Sequence, residues 1–502
     1  MSISRADLLR QQLEDIENAD LISKKSLEEK FLEEFKESHV IDEKNGSVIF
    51  LYKADSAIKD SDKVYLFSEL SDYFSGFDSE NCRVELKRIK GTTIYSLTSD
   101  KSPIPNDHLT EYIYIKNPEE IDEKWENVRT VLSMPNAPKK NLLYAPTSKE
   151  SATDQLNQMK KQERFLKFII PEGMPYAGRE FWVHLPKDYK ESDDKEYPLL
   201  LLLDGNQFHT TVPMPYIMEN MVNSNVIQPT VTVLIASAGS KKSRHKERFI
   251  EYDCDDKYTR FLATDFIKLL REGKLIEADS KKEYRLSNIT DKAQHTTISG
   301  ASAGGLAAVY AGLTEPHTFG NVIALSPAVW MQEQEGRTAK RKLLPAIDNF
   351  PKENKQGTHF YFSVGRNEKN RMKKDKNNPK NPEKCHSMVE MNDIVTDRMK
   401  FNRIHVDYKK YNGGHNDISW QNILCDRLKM IYPANVPKLC SAATISRKLG
   451  IPLSIPSSSP HTPHQQSNGT IEQKKFLEQK SKADHTNESE ITANNPRPKR
   501  PK

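Results

Sequence analysis

Cysteine is scarce in this 502-residue chain, and the five present (Cys82, Cys254, Cys385, Cys425 and Cys440) form no C-x-x-C pair and make an odd total. That usage indicates neither a disulfide framework nor a zinc site and fits reduced thiols in a cytoplasmic protein. Long apolar runs are also missing: no stretch approaches the ~18 uncharged apolar residues of a membrane span. The opening Met1-Ser2-Ile3-Ser4-Arg5-Ala6-Asp7 lacks the apolar core of a cleaved export signal, so a soluble, non-exported protein is expected. A strong charge of one sign is absent too. Lys and Arg number 75 against 70 Asp and Glu, a net charge of +5, which gives no ground for a nucleic-acid partner and leaves room only for local recognition of anions.

The length suggests two or three domains. Residues 1–40 are charged and carry Leu27, Phe31, Leu32 and Phe35 at helical spacing after a capping box at Ser26-Leu27-Glu28-Glu29, which predicts one or two amphipathic helices. Over 41–132 the period changes to short β-rich runs, Val48–Tyr52, Val64–Phe67, Arg83–Ile89, Thr93–Leu97 and Glu111–Ile115, the pattern of a small β-sandwich. Residues 133–164, with Pro135, Pro138 and Pro146 among polar side chains, read as a linker. From 165 to 436 the apolar runs Pro198–Leu203, Val231–Ala236, Thr296–Ser299, Val322–Leu325 and His359–Val364 are nearly continuous. Runs of that kind suit strands buried on both faces of a mostly parallel sheet, and helix-like segments lie between them, so the class is α/β. Residues 437–502, rich in Ser, Pro, Asn, Gln and Lys, read as a disordered polar tail.

Gly300-Ala301-Ser302-Ala303-Gly304 follows the strand-like Thr296–Ser299 and precedes the helix-like Leu306–Leu313. This is the context of a nucleophile elbow, in which a serine sits on a strained strand-to-helix turn and its flanking positions must be small. Ser302 is therefore the candidate nucleophile. A serine needs a base, and His415 in Tyr411-Asn412-Gly413-Gly414-His415-Asn416 stands on a late loop, where two glycines offer a mobile turn for the imidazole. Glu368, just after the run His359–Val364, is the candidate orienting acid, with Asp375, Asp393, Asp397 and Asp417 as competitors. Developing charge on the substrate oxygen calls for backbone donors. Ala303 would give one, and Gly205 or Asn206, in Leu203-Asp204-Gly205-Asn206, the other. Asp204 reads as a loop-shaping carboxylate.

In their order, these residues resemble the enterochelin (enterobactin) esterase group of the α/β-hydrolases. The matches are Tyr197-Pro198-Leu199-Leu200 leading to Leu203-Asp204-Gly205, the Gly300–Leu306 elbow, Ala311-Gly312-Leu313, Phe319-Gly320 before a strand ending in Ser326, Gly365-Arg366-Asn367-Glu368, and Gly413-Gly414-His415 with Trp420. The resemblance covers roughly residues 40 to 435 and implies an α/β hydrolase, a mostly parallel sheet with flanking helices, preceded by an immunoglobulin-like β-sandwich. It also implies hydrolysis of ferric catecholate siderophore trilactones, which releases iron, with Arg248 and Trp330 touching the small-molecule ester. No metal or organic cofactor is implied. The chain departs from the pattern in three places: the segment Ser326–Met331 lacks small polar and paired aromatic residues, a basic insertion occupies Lys369–Lys384, and the helical start and the tail are additional. On residues alone, an acyltransferase, a carbohydrate-ester hydrolase, or a non-catalytic interaction protein on the same scaffold stay open, because a fold does not fix the acyl acceptor.

Overall fold

Leu199–Leu202 is four leucines in a row, all buried, and its two faces feed two different cores. Leu199 and Leu201 join a cluster with Val231, Val233, Ile298, Val309 and Phe360, while Leu200 and Leu202 join one with Met218, Leu234, Ile323 and Leu424. Side chains alternate along a strand, so a run that is apolar at every position must be covered on both sides. The run is a central strand of an eight-stranded sheet with helices against both faces.

In the computed structural model, the described residues are 3–54, 59, 61–75, 83–117, 130–137, 144, 149–187, 189–191, 195–238, 244–334, 336–351, 357–369, 371–373 and 384–434. The sheet strands are β1 (Phe165–Ile169), β2 (Glu180–His184), β3 (Leu199–Leu202), β4 (Val231–Ile235), β5 (Thr296–Ala301), β6 (Asn321–Leu325), β7 (His359–Gly365) and β8 (His405–Tyr411). Their spatial order is β8-β7-β6-β5-β3-β4-β2-β1. Pairing is parallel from β8 to β4, and β2 is antiparallel to both β4 and β1. This is the mixed sheet of an α/β hydrolase. Four helices matter for the site: α1 (Arg244–Glu251), α2 (Ala303–Thr314), α3 (Met388–Phe401) and α4 (Asp417–Ile431). Helix α2 is buried on nearly every side and sits very close to the sheet, since a Cβ at Gly312 would fall 2.3 Å from Val322 Cγ2.

Ahead of the sheet lie two four-stranded antiparallel sheets. One orders as His39–Asp42, Ser47–Lys53, Ile94–Thr98, Lys87–Arg88; the other as Arg83–Glu85, Val64–Phe67, Leu109–Lys116, Thr130–Ser133. They share a core of Val48, Phe50, Val64, Leu66, Phe74, Tyr112 and Leu132. The single run expected over Arg83–Ile89 is broken at Leu86, so its halves belong to different sheets.

Three expectations are corrected. Two helices, Arg5–Asn18 and Leu21–Glu34, precede the sandwich, and the second starts at Asp20, whose side chain accepts from the Ile22 and Ser23 N–H groups. Ser26 lies inside that helix and is not its cap, because Asp20 already starts the helix six residues earlier. The stretch read as a linker contains the helix Lys149–Lys161. Leu156 and the fully buried Met159, one turn apart, pack into the core beside α4, so tertiary contact overrides its polar composition. Strand β8 escaped detection because its sequence, His405-Val406-Asp407-Tyr408-Lys409-Lys410-Tyr411, is an edge strand with polar, part-exposed side chains. The tail, 437–502, and most of the insertion lie outside the described residues; the insertion's base is a ribbon pairing Arg371–Lys373 with Lys384–Ser387. Among the described residues no helix is long and apolar enough to cross a membrane.

Candidate active site

Ser302 stands between β5 and α2 with φ 56° and ψ −122°, a conformation that side chains other than glycine rarely adopt. Its small neighbours make the turn sterically feasible. A Cβ at Gly300 would lie 2.4 Å from the Gly304 carbonyl oxygen, and one at Gly304 2.8 Å from Asp204 Oδ2. The Ser302 N–H donates to Leu325 O at 2.9 Å, while its C=O accepts from the Ala328 N–H at 2.9 Å and the Leu306 N–H at 3.1 Å. The backbone is thus fixed on both sides, and the residue remains partly exposed.

Glu368 and His415 meet at the ends of β7 and β8. His415 Nδ1 lies 2.7 Å from Glu368 Oε2. The other carboxylate oxygen, Oε1, accepts from Ser326 Oγ at 2.6 Å and from the Gly365 N–H at 2.7 Å. Ser326, fully buried and with φ 43°, is itself held by Trp420 Nε1 at 3.1 Å and faces Tyr411 OH at 3.2 Å. Glu368 therefore has every oxygen engaged and only one direction in which to hold an imidazole. The Trp420 ring stands edge-on to His415, centroids 4.8 Å apart. Burial works against a charged imidazole, but the charge and hydrogen bond of Glu368, together with the charge of Glu69, outweigh it and hold the His415 pKa above its ordinary value. The His415 side chain keeps 28% of its surface open against 2% for Glu368, so the imidazole is the accessible member of the pair.

The competing carboxylates are engaged elsewhere. Asp417 binds Gln207 at 2.7 Å, Asp393 binds Lys410 at 2.7 Å, and Asp397 lies 3.6 Å from Lys400; Asp375 lies outside the described residues. Ala303 is the first residue of α2, so its N–H has no acceptor within the helix. On the opposite side, the loop after β3 turns at Asp204 with φ 55° and ψ 41°. Gly205 is required there by close approach, since its Cβ would fall 2.5 Å from the Leu234 carbonyl carbon. Asn206 uses its side-chain oxygen to accept from the Ser237 N–H and hydroxyl, each at 3.2 Å.

Arg248, on α1, is drawn to Asp204 through two bonds of 2.6 and 2.7 Å. Its charge still reaches His415, whose pKa it lowers slightly against the two glutamates. Trp330 is only 8% exposed and belongs to the core cluster on the α2 face. The structure thus joins Glu368 to His415 and Arg248 to Asp204, and sets Trp330 among core side chains.

The mobile turn expected from Gly413-Gly414 is instead a tightly docked one. Neither glycine has positive φ; both are small because other groups occupy their space. A Cβ at Gly413 would be 2.6 Å from Leu109 O, and at Gly414 1.6 Å from Glu69 Oε2. Leu109, Glu69 and their neighbours belong to the amino-terminal sandwich. The Leu109 N–H donates to Asn412 O at 3.0 Å, Asn412 Nδ2 to Asp107 at 2.6 Å, and Asn416 Nδ2 to Thr110 at 3.1 Å. Overpacking at such a site costs about 1 to 3 kcal/mol. Gly414→Ala is therefore expected to lower thermal stability by that amount and to cut kcat/KM for a simple ester by about tenfold or more as the loop shifts; melting curves and steady-state rates check both.

Sequence reasoning did not find Ser326, Tyr411 or Glu69. Ser326 had a signal, a serine closing a strand before Pro327, but Glu69 has none: it sits 346 positions from the residue it holds.

Residues 177–431 match a family model described as "Putative esterase". An iron(III) enterobactin esterase of Escherichia coli K12 is 24% identical over 219 residues, 43% of this chain and 46% of that protein. The corresponding protein of Dickeya dadantii is 28% identical over 134 residues, 26% of each. The chain thus spans less than half the length of these relatives. Among solved structures, the enterobactin esterase of Shigella flexneri in the presence of enterobactin superposes with a TM-score of 0.58 at 18% identity, covering 80% of this chain and 97% of that one. The ferric enterobactin esterase of Salmonella typhimurium gives 0.55 at 17% identity, covering 78% and 95%. At these identities the likeness speaks for the fold.

Proposed function

The chain belongs to the "Putative esterase" family and is enterochelin esterase-like, and from that premise we propose that it hydrolyses carboxylic esters through an acyl-enzyme on Ser302. The observation that carries this reading is the strained serine at the β5–α2 junction together with the 2.7 Å Glu368–His415 pair at the ends of neighbouring parallel strands. Side chains that follow such strands converge on one edge of the sheet, where α/β proteins place their chemistry.

In the proposed cycle, His415 Nε2 takes the proton of Ser302 Oγ as that oxygen attacks the ester carbonyl carbon. Glu368 fixes the Nδ1–H tautomer and stabilises the imidazolium. The oxyanion is received by the Ala303 N–H and by an N–H of the Gly205-Asn206 turn, each donor worth about 3 kcal/mol of barrier. His415 then returns the proton to the departing alkoxide, the C–O bond breaks, and a water activated by the same imidazole releases the acid and regenerates the serine.

The substrate we propose is an ester of a ferric siderophore, supported by what the relatives from Escherichia coli and Dickeya dadantii are named for. Arg248 adds positive charge near His415 while paired with Asp204. Rates on ferric enterobactin, iron-free enterobactin and p-nitrophenyl acetate at equal protein concentration test both levels. Cleavage of the trilactone at least tenfold faster than the simple ester is expected. Cleavage of the simple ester alone removes the siderophore, and no cleavage of any ester removes the hydrolase.

A further inference from the structure

The amino-terminal sandwich reaches into the candidate site with one ionisable side chain. Glu69 follows the strand Val64–Phe67 and stands before the short helical turn Ser71–Tyr73. Its Oε2 accepts the backbone N–H of His415, and it occupies the space that any side chain at position 414 would need. The approach is not isolated, because three further hydrogen bonds from Asp107, Leu109 and Thr110 fasten residues 412 and 416 on either side of the histidine. The loop bearing Glu368 is tied in as well: Asn367 Nδ2 lies 3.4 Å from His108 Nε2, and Lys369 Nζ binds Asp72 at 2.6 Å.

A hydrogen bond to a backbone N–H next to the imidazole does what a bond to the ring cannot. The Glu368 bond orients the ring about its own side-chain torsions, whereas the Glu69 bond fixes the main chain from which those torsions start. We propose, resting on the serine-hydrolase reading, that Glu69 is a positioning residue that locks the main chain of His415 in register with Glu368, so that the sandwich completes the catalytic machinery.

The charge of Glu69 has a second consequence. Burial and the nearby Glu368 carboxylate push its pKa above the ordinary carboxylate value, with the His415 charge and N–H pulling the other way. Two carboxylates therefore face one imidazole, Glu368 at the ring and Glu69 at the main chain, with Tyr411 beside both and Arg248 as the opposing cation. Both carboxylates favour the imidazolium that forms as Ser302 loses its proton. Removing one negative charge lowers the His415 pKa, so the neutral, basic form persists to more acidic pH.

Glu69→Ala and Glu69→Gln in the full chain separate geometry from charge. Glu69→Ala is expected to lower kcat by about 10- to 100-fold with KM changed less than about threefold, since a displaced base impairs the transition state rather than binding. Glu69→Gln retains an acceptor and should keep more of kcat, with the acid limb of its pH profile about half a unit to one unit lower than in the wild type. If Glu69→Ala does not fold, Glu69→Gln carries the test alone. A wild-type kcat and unmoved acid limb in Glu69→Gln, or a change confined to KM, overturns the proposal while Ser302→Ala remains inactive. If Ser302→Ala is as active as the wild type, the serine reading itself has failed, and the proposal for Glu69 falls with it.

Discussion

Ser302→Ala is expected to lower kcat on p-nitrophenyl acetate by about a million-fold, the loss typical of removing a serine nucleophile. Any remaining rate would come from binding and the oxyanion donors, and would still exceed the reaction in water by about a thousandfold. The substitution leaves the elbow almost untouched. Alanine at φ 56° meets the same steric demand as serine, and the three backbone bonds, to Leu325 O and from the Ala328 and Leu306 N–H groups, are kept. Thermal stability should stay within about 1 kcal/mol of the wild type, as expected where no packing or buried hydrogen bond is lost. A fluorophosphonate probe should label the wild type at Ser302 and leave the variant unlabelled. Equal esterase rates in the two proteins would end the acyl-enzyme reading.

Glu368→Gln should cost about ten-thousandfold in kcat, because an amide cannot serve both partners of this carboxylate. Oε2 receives His415 Nδ1, while Oε1 receives the Ser326 hydroxyl and the Gly365 N–H. If the amide oxygen faces Ser326 and Gly365, its NH2 group points at Nδ1 and favours the wrong tautomer, the effect known from replacing a triad acid by its amide. If the group flips, the NH2 opposes two buried donors, and leaving them unsatisfied costs about 1 to 3 kcal/mol. Both orientations lose activity, and the second also loses stability, so melting curves tell which one the variant adopts. The double variant with Ser302→Ala should be no slower than Ser302→Ala alone, since groups that act as one unit are not additive. A Glu368→Gln protein within tenfold of wild type would assign the orienting role to another carboxylate.

Several parts of this molecule were legible because the physics that shapes them is local. The elbow announces itself by its two glycines, since only a strained turn next to a helix makes both positions intolerant of a Cβ. The sheet strands β3, β4, β5, β6 and β7 show as mostly apolar runs because both faces are covered, and polar side chains among them, such as Thr232, Thr297 and Ser363, are small and buried. Strand β8 lacked that mark, being half exposed at an edge. The helix Lys149–Lys161 lacked it too, because its stability comes from Met159 and Leu156 in a core assembled by distant residues. The glycines before His415 stand out in the sequence, but their cause does not. They read as freedom to move, whereas each yields space to an oxygen from the sandwich.

From the residues alone came the α/β class, the candidate nucleophile elbow at Ser302, and His415 and Glu368 as its candidate partners in the order along the chain that the fold requires. Each motif is a short local pattern, and the class and the order follow from how those patterns succeed one another along the chain. Only the tertiary structure set Glu368 against His415 and gave Asp393, Asp397 and Asp417 other partners, and only it turned Arg248 toward Asp204 and buried Trp330 in the core. It alone brought Glu69 to the backbone of His415. Which charge faces which donor depends on how strands far apart in the chain align, and no local pattern of residue types encodes that alignment.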